Sequence, residues 1–342
     1  MNQPPFKINN TIINFLSEIH NKLGKLEVNL DKKKTLYLRK ASKIKSVNSS
    51  CAIEANSLSE KEVEAIVNGK RIIAPPNEIL EVKNAYEAYM KLDEYEPFCV
   101  KSFLLGHKYL MTNLKEDAGS FRKGDVGVYE NGIPIHIGAR SEFVYGLITD
   151  LFNWASKSDI NPIILACVIH YEIETIHPFS DGNGRIGRLW QSVILYNYNK
   201  LFELIPIETL VYENQQAYYD AIQKSRNVDD SAVFTKYMLE MMIKTIDSFD
   251  GELELIDKVK EQYIKDLTKK EQEVLKVILN NFDSNDSITM EKLIDKINKS
   301  SATIRIHLKR FTDLGIFIGV GENKGRKYSI NVDIFKKGYG KS

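Results

Sequence analysis

The chain has 342 residues, 43% of them hydrophobic and 27% charged, and its 47 basic and 46 acidic side chains leave a formal charge of +1. Apolar content on this scale fills a sizeable core, which excludes disorder as the main state, and the length predicts two or three domains. No run of 18 uncharged apolar residues occurs, so no membrane span is expected, and Cys51, Cys99 and Cys167, widely spaced without a CxxC pair, fit reduced thiols better than disulfides or zinc. The first ten residues, MNQPPFKINN, lack the basic and apolar regions of a secretory leader, and the expected compartment is the cytoplasm.

In chain order, mixed apolar and charged runs at helical spacing predict helices over 8–30, 33–46, 61–67 and 78–92. Residues 125–138 depart from that pattern. Val126, Val128, Ile133, Ile135 and Ile137 alternate around Asn131-Gly132, which predicts a β-hairpin. A lone hairpin in a helical protein must lie on something or await a partner. Asn161-Pro162 reads as the start of a buried apolar helix, and 185–198 as another helix. A boundary is expected near Asp250-Gly251. Beyond it, Thr268 and Glu271 have capping-box spacing, and further helices follow, the last over 301–314. Two apparent strands, IFIGV and KYSINV, then flank a basic turn. Three helices and a hairpin resemble a winged helix-turn-helix domain. The charge divides in the same region: from Thr268 onward there are 15 basic and 9 acidic residues, or +6, against −5 for the first 267 residues.

The chemistry concentrates in His177-Pro-Phe-Ser-Asp-Gly-Asn-Gly-Arg-Ile-Gly-Arg188. Gly182 and Gly184 flank Asn183 where one helix gives way to the next, and glycine lets backbone approach a ligand closely. Amides at the start of the following helix, with its positive dipole end, suit a phosphate. Arg185 and Arg188 share a helix face and reach the same anion. Asp181 beside such a nest requires a hard cation such as Mg²⁺ between carboxylate and phosphate. His177 can take a proton near neutral pH. Together these residues fit transfer of a phosphorus-containing group from a nucleotide to a hydroxyl.

The segment is similar to the signature of the Fic family, H-x-F-x-[DE]-G-N-G-R-x-x-R, with every defining position filled, and the likeness runs from the N-terminus to about Phe249. The resemblance implies a mainly α fold: a Fic-type helical core with a β-hairpin flap, followed here by a small winged-helix domain. It divides the chain into 1–95 (helical, with an inhibitory motif), 96–250 (core), 251–267 (linker) and 268–342 (winged helix). The implied activity is transfer of AMP from ATP to a Ser, Thr or Tyr hydroxyl of a target protein and of the chain itself. By the same resemblance His177 is the general base, Phe179 anchors the loop, and Asp181 holds Mg²⁺. Gly182, Asn183 and Gly184 form the anion nest, Arg185 contacts phosphate, Arg188 meets the γ-phosphate, and Tyr218 lines the adenine pocket. Related Doc kinases resemble a variant with lysine at the position of Gly184, so glycine favours adenylylation. The hairpin over 126–137 resembles the flap on which a target segment adds a strand.

Upstream, Ser50 and Glu54 resemble the family's inhibitory motif, [ST]-x-x-x-E-[GN], in which the glutamate pairs with the second arginine, here Arg188. Ala55 stands where the pattern has Gly or Asn, with Asn56 one place later. Among other candidates, His170 reads as a hydrogen-bonded core residue, Glu172 and Glu174 as capping or solvent-facing, and His107 and His136 carry no spacing argument. On the tail, Arg305, Lys309, Arg310, Arg326 and Lys327 could contact DNA phosphates. A DNA or protein partner there, and a homodimer, are left open. The alternative function is a DNA-binding regulator whose Fic core senses nucleotide.

Overall fold

The computed structural model describes residues 3–30, 32–130, 133–265, 267–281, 288–294, 296–297, 299–321 and 326–331. It divides into two compact units, Met1–Asp247 and Ser248–Ser342. The first begins with α1 (Asn10–Asn29), α2 (Lys32–Ile53), α3 (Glu60–Val67), α4 (Pro76–Met90) and α5 (Val100–Met111). Strands β1 (Gly127–Glu130) and β2 (Ile133–Ile137) follow, then α6 (Ser141–Ala155), α7 (Pro162–Ile176), α8 (Asn183–Tyr198), α9 (Ile207–Glu213) and α10 (Gln215–Val228). The unit boundary falls within α11 (Ala232–Lys265). None of the described helices is long and apolar enough to cross a membrane.

Local chemistry sets several helix ends. Asn9 caps α1 by accepting from the Ile12 amide at 3.0 Å, which starts the helix later than apolar spacing alone predicts. Ser59 and Glu62 form a reciprocal capping box at α3. Asn161 caps α7, with Pro162 at its first position. Helix α7 is buried from Ile163 through Tyr171, which explains its nearly continuous apolar sequence. It packs along α8 at the centre of the unit. Beside them Phe103, Phe152, Phe179 and Trp190 form an aromatic cluster, with Phe103 and Trp190 rings 5.0 Å apart, edge to face.

The strands pair antiparallel, Gly127 opposite Ile137 and Glu130 opposite Ile133, with an irregularity between Val128 and Tyr129. The turn residues Asn131 and Gly132 lie outside the described residues. At the hairpin base, Gly138 N–H donates to Val126 O (3.0 Å), and Ala139 N–H donates to Ile176 O (3.2 Å) on the end of α7. The hairpin is therefore rooted on the segment that precedes His177.

The second unit contains α12 (Lys269–Asn281), α13 (Met290–Ile294), α14 (Ser301–Asp313), β3 (Phe317–Val320) and β4 (Lys327–Ile330). The strands pair antiparallel, and Ile288 bridges to Tyr328 as a third short pairing. Val274, Ile278, Leu293, Ile304, Leu308, Phe311 and Phe317 build its own core. Thr268 and Glu271 make the reciprocal bonds of a capping box, the Thr268 amide donating to the Glu271 carboxylate at 2.8 Å. Helix α14 exposes Arg305, Ile306, Lys309 and Arg310.

Candidate active site

Helix α7 ends at His177, whose backbone is left-handed (φ 52°, ψ 61°). The chain then turns through Phe179, which is wholly buried against Phe103 and Phe121, each ring 5.4 Å away. Asn183 closes the loop with its side-chain amide: Oδ1 accepts from Phe179 N–H and Nδ2 donates to Phe179 O, both at 2.9 Å. Asn183 thus clamps the loop with its side chain, and only its backbone is available to a nest. Gly182 precedes α8 at φ 80°, a conformation that glycine adopts freely. The amides of 183–185 then stand at the positive end of α8 without partners from within the helix.

His107, on α5, supports this loop from beneath. Its ring stacks on Phe179 with centroids 3.6 Å apart. Because Nδ1 accepts from Gly119 N–H at 3.0 Å, the proton resides on Nε2, which donates to Asp181 O at 3.0 Å. Burial pushes His107 down to about 4, which fixes this neutral form. No sequence spacing signals the role, since the contact joins positions 74 apart.

The charged groups form two sets. Arg188, 3% exposed, donates from Nη2 to Glu54 Oε1 at 2.7 Å and to Ser50 O at 3.1 Å, and from Nε to Ser50 Oγ at 3.1 Å. Burial opposes the guanidinium charge, but Glu54 outweighs it and holds the arginine protonated. Arg185 pairs with Glu81 of α4 and with Asp181 Oδ1 at 3.1 Å. Glu81 also accepts from Asn56 Nδ2 at 2.8 Å. Burial raises the Asp181 carboxyl, but Arg185, Lys115 and the Gly182 amide reverse this and hold it below the ordinary carboxylate range. Lys115 Nζ lies 3.2 Å from Asp181 Oδ2. Burial also lowers the His177 imidazole, assisted by Arg226 and Arg122, so it is neutral at pH 7 and able to accept a proton. Among the described residues no group of three or more His, Cys, Asp and Glu gathers as a protein-only metal cage. A half-exposed carboxylate beside an anion nest instead fits Mg²⁺ shared with substrate phosphates.

Glu54 follows α2 rather than lying within it. Ala55 N–H donates to Ala52 O and Asn56 N–H to Cys51 O, with Ala55 left-handed at φ 67°: a Schellman cap. The carboxylate reaches the start of α8, where a Cβ built on Gly184 would meet Glu54 Oε1 at 2.5 Å. An anion already lies over the nest. Helix α2 runs to Ile53 rather than stopping near 46, because its serines are buried against neighbours. Ser42 Oγ donates to Leu204 O (2.7 Å), and Ser46 Oγ to Glu208 Oε2 (2.7 Å). Tyr89 and Ser192 donate to the other Glu208 oxygen at 2.9 and 3.0 Å.

Two expectations need correction. Tyr218 is 0% exposed, with its hydroxyl 3.0 Å from His170 Nε2 and 3.3 Å from Glu174; it packs in the core and does not line an open pocket. Tyr219, 44% exposed, has its hydroxyl 3.3 Å from Gln215 Nε2, which also donates to Ile53 O at the end of α2. Glu174 is buried rather than solvent-facing, because α7 is enclosed on that side, and burial raises its carboxyl. Burial likewise pushes Glu172 up to about 7. His170, as expected, is a hydrogen-bonded core residue, with Nδ1 2.5 Å from Gln191 Oε1.

Residues 97–195 match the sequence profile of the Fic/DOC family. Over 236 residues the chain is 26% identical to protein adenylyltransferase fic-1 of Caenorhabditis elegans, a stretch covering 65% of this chain and 44% of that protein. Over 209 residues it is 25% identical to protein adenylyltransferase Fic of Nematostella vectensis, covering 58% and 46%. The chain thus spans less than half the length of these curated relatives. Among solved structures, a Fic family protein from Desulfovibrio desulfuricans G20 superposes with a TM-score of 0.70 at 27% identity, covering 100% of this chain and 99% of that one.

Proposed function

We propose that this chain, whose residues 97–195 match the Fic/DOC family, is an autoinhibited protein adenylyltransferase of that family. The carrying observation is the Glu54 carboxylate lying over Gly184 and bonded to Arg188, where the loop and helix dipole are built for an anion. In the active state the nucleotide polyphosphate replaces that carboxylate and meets the α8 amides, Arg185 and Arg188. Asp181 would hold Mg²⁺, which neutralises phosphate charge when bound. A target segment pairs with the hairpin and presents a Ser, Thr or Tyr hydroxyl. Neutral His177 takes the hydroxyl proton as the oxygen attacks the α-phosphorus; the bond to the β-phosphate oxygen breaks and pyrophosphate leaves. The second unit, whose described residues include α12, α13, α14 and a strand pair, is a winged helix that recruits a partner through the exposed α14 face.

The test is labelling with ATP carrying a radioactive α-phosphate. Glu54→Gly should raise self-labelling at least tenfold, and adding His177→Ala should abolish it. Equal labelling of the Glu54→Gly protein and the parent overturns the brake. Label transferred from γ-labelled ATP in a parallel reaction, with none from α-labelled ATP, overturns adenylylation. The exposed basic face of α14 favours a second reading, in which the core senses nucleotide and the second unit binds DNA. Salt-dependent DNA binding without transfer by the Glu54→Gly protein would select that reading.

A further inference from the structure

Arg122 stands just before the hairpin, with a side chain 1% exposed. Its guanidinium is spent on carbonyl oxygens. Nε donates to His177 O at 2.7 Å and Nη1 to Gly124 O at 2.8 Å, while Nη2 donates to Ala139 O and, at 3.4 Å, to Ile176 O. Its own amide donates to Pro178 O at 3.1 Å. The carboxylate nearby, Asp125, stands off at 3.7 Å and is largely exposed, so the buried cation is met mainly by peptide dipoles. Two of those dipoles belong to the end of α7, where carbonyls lack partners within the helix and a positive charge is favoured. The other two belong to the two sides of the hairpin base. Gly138 completes the contact: a Cβ built there would lie 3.1 Å from both Arg122 Nη2 and His177 Cβ.

We propose that Arg122 is a positioning residue, which holds His177 in its left-handed conformation and ties it to the root of the hairpin. One side chain thereby registers the proton acceptor against the strand on which the target would lie. Neither Lys nor Gln can replace it, because four carbonyls on three segments require a planar fork with several donors. The proposal deepens the transferase reading and rests on His177 acting as its base. The charge contributes as well. The charged groups facing the imidazole are Arg226 and Arg122, which favour its neutral form, and Glu54, which opposes them.

The test uses the full chain in the Glu54→Gly background with two variants. Arg122→Met removes fork and charge; Arg122→Lys keeps the charge alone. Both should lower kcat for self-labelling by about a hundredfold with the Kd for ATP unchanged, since misplacement of about 1 Å costs that much. Only Arg122→Met should also move the acid limb of kcat/KM, and the NMR titration of the His177 ring, to higher pH. Full turnover in Arg122→Lys overturns the proposal. So does an unmoved His177 titration in folded Arg122→Met. If the Glu54→Gly protein itself transfers nothing, the transferase reading fails. The His177 titration still decides the role of Arg122, because it needs no turnover.

Discussion

At the scale of single residues, Ala55 shows how one methyl group bears on the cap that places Glu54. It occupies the left-handed position of the α2 cap, where glycine or asparagine has the advantage. A non-glycine residue there costs about 1–2 kcal/mol, partly offset by the smaller backbone entropy that alanine loses on folding. Ala55→Gly should therefore stabilise the protein by about 0.5–1 kcal/mol and reduce basal labelling; a urea midpoint that falls instead contradicts it. Asn183 makes the opposite case. Asn183→Ala leaves the Phe179 N–H and C=O unpaired in a buried loop, at about 2–4 kcal/mol, and weakens ATP binding with it. Asn183→Asp keeps the acceptor and loses the donor, so thermal denaturation should rank it between alanine and the parent. The motif residues were legible because they are contiguous. Glu81, His107, Arg122 and Glu208 were not, since each meets its partner in or beneath the site from 55 to 162 positions away with no local pattern to mark it. Tyr218 and Tyr219 were indistinguishable in sequence, because one step on a helix turns about 100° and exchanges core for surface.

At the scale of elements, α5 and α7 each carry a histidine buried in neutral form. Burial sets His107 at about 4 and His170 at about 3, against an ordinary 6.5. Unfolding lets both bind protons, so their contribution is intact above pH 6.5 and is lost as pH falls below it. Each contributes up to about 1.4 kcal/mol per pH unit in that window. Chemical denaturation at pH 7.5, 6.0 and 5.0 should show a steep decline, and His107→Gln should flatten it. The length of α2 illustrates what periodicity misses. Its last turns, Val47-Asn-Ser-Ser-Cys51, have weak intrinsic helix propensity, and a boundary near 46 follows from that alone. Tertiary hydrogen bonds donated by Ser42 and Ser46 and accepted by Ser50 from Arg188 override the propensity and carry the helix to the site.

At the scale of the whole molecule, the near-zero net charge is an average over an acidic first region and a basic tail. The two compact units each have a core of their own, and the residues of the candidate site all belong to the first. Residues 1–250 carrying Glu54→Gly should therefore self-label at the rate of the full chain, within about twofold. A large loss on truncation would assign the second unit a part in the chemistry. Because Glu54 and Arg188 lie in the same unit, the bond between them is unimolecular. Its strength is an effective concentration set by the chain, so dilution cannot weaken it and scarcity of the protein does not release it. Under the proposed function, ATP would compete with a rival that is always present at the same dose. To turn a population from 1:99 to 99:1, an activator must prefer the open form by about ten-thousandfold, whatever its absolute affinity.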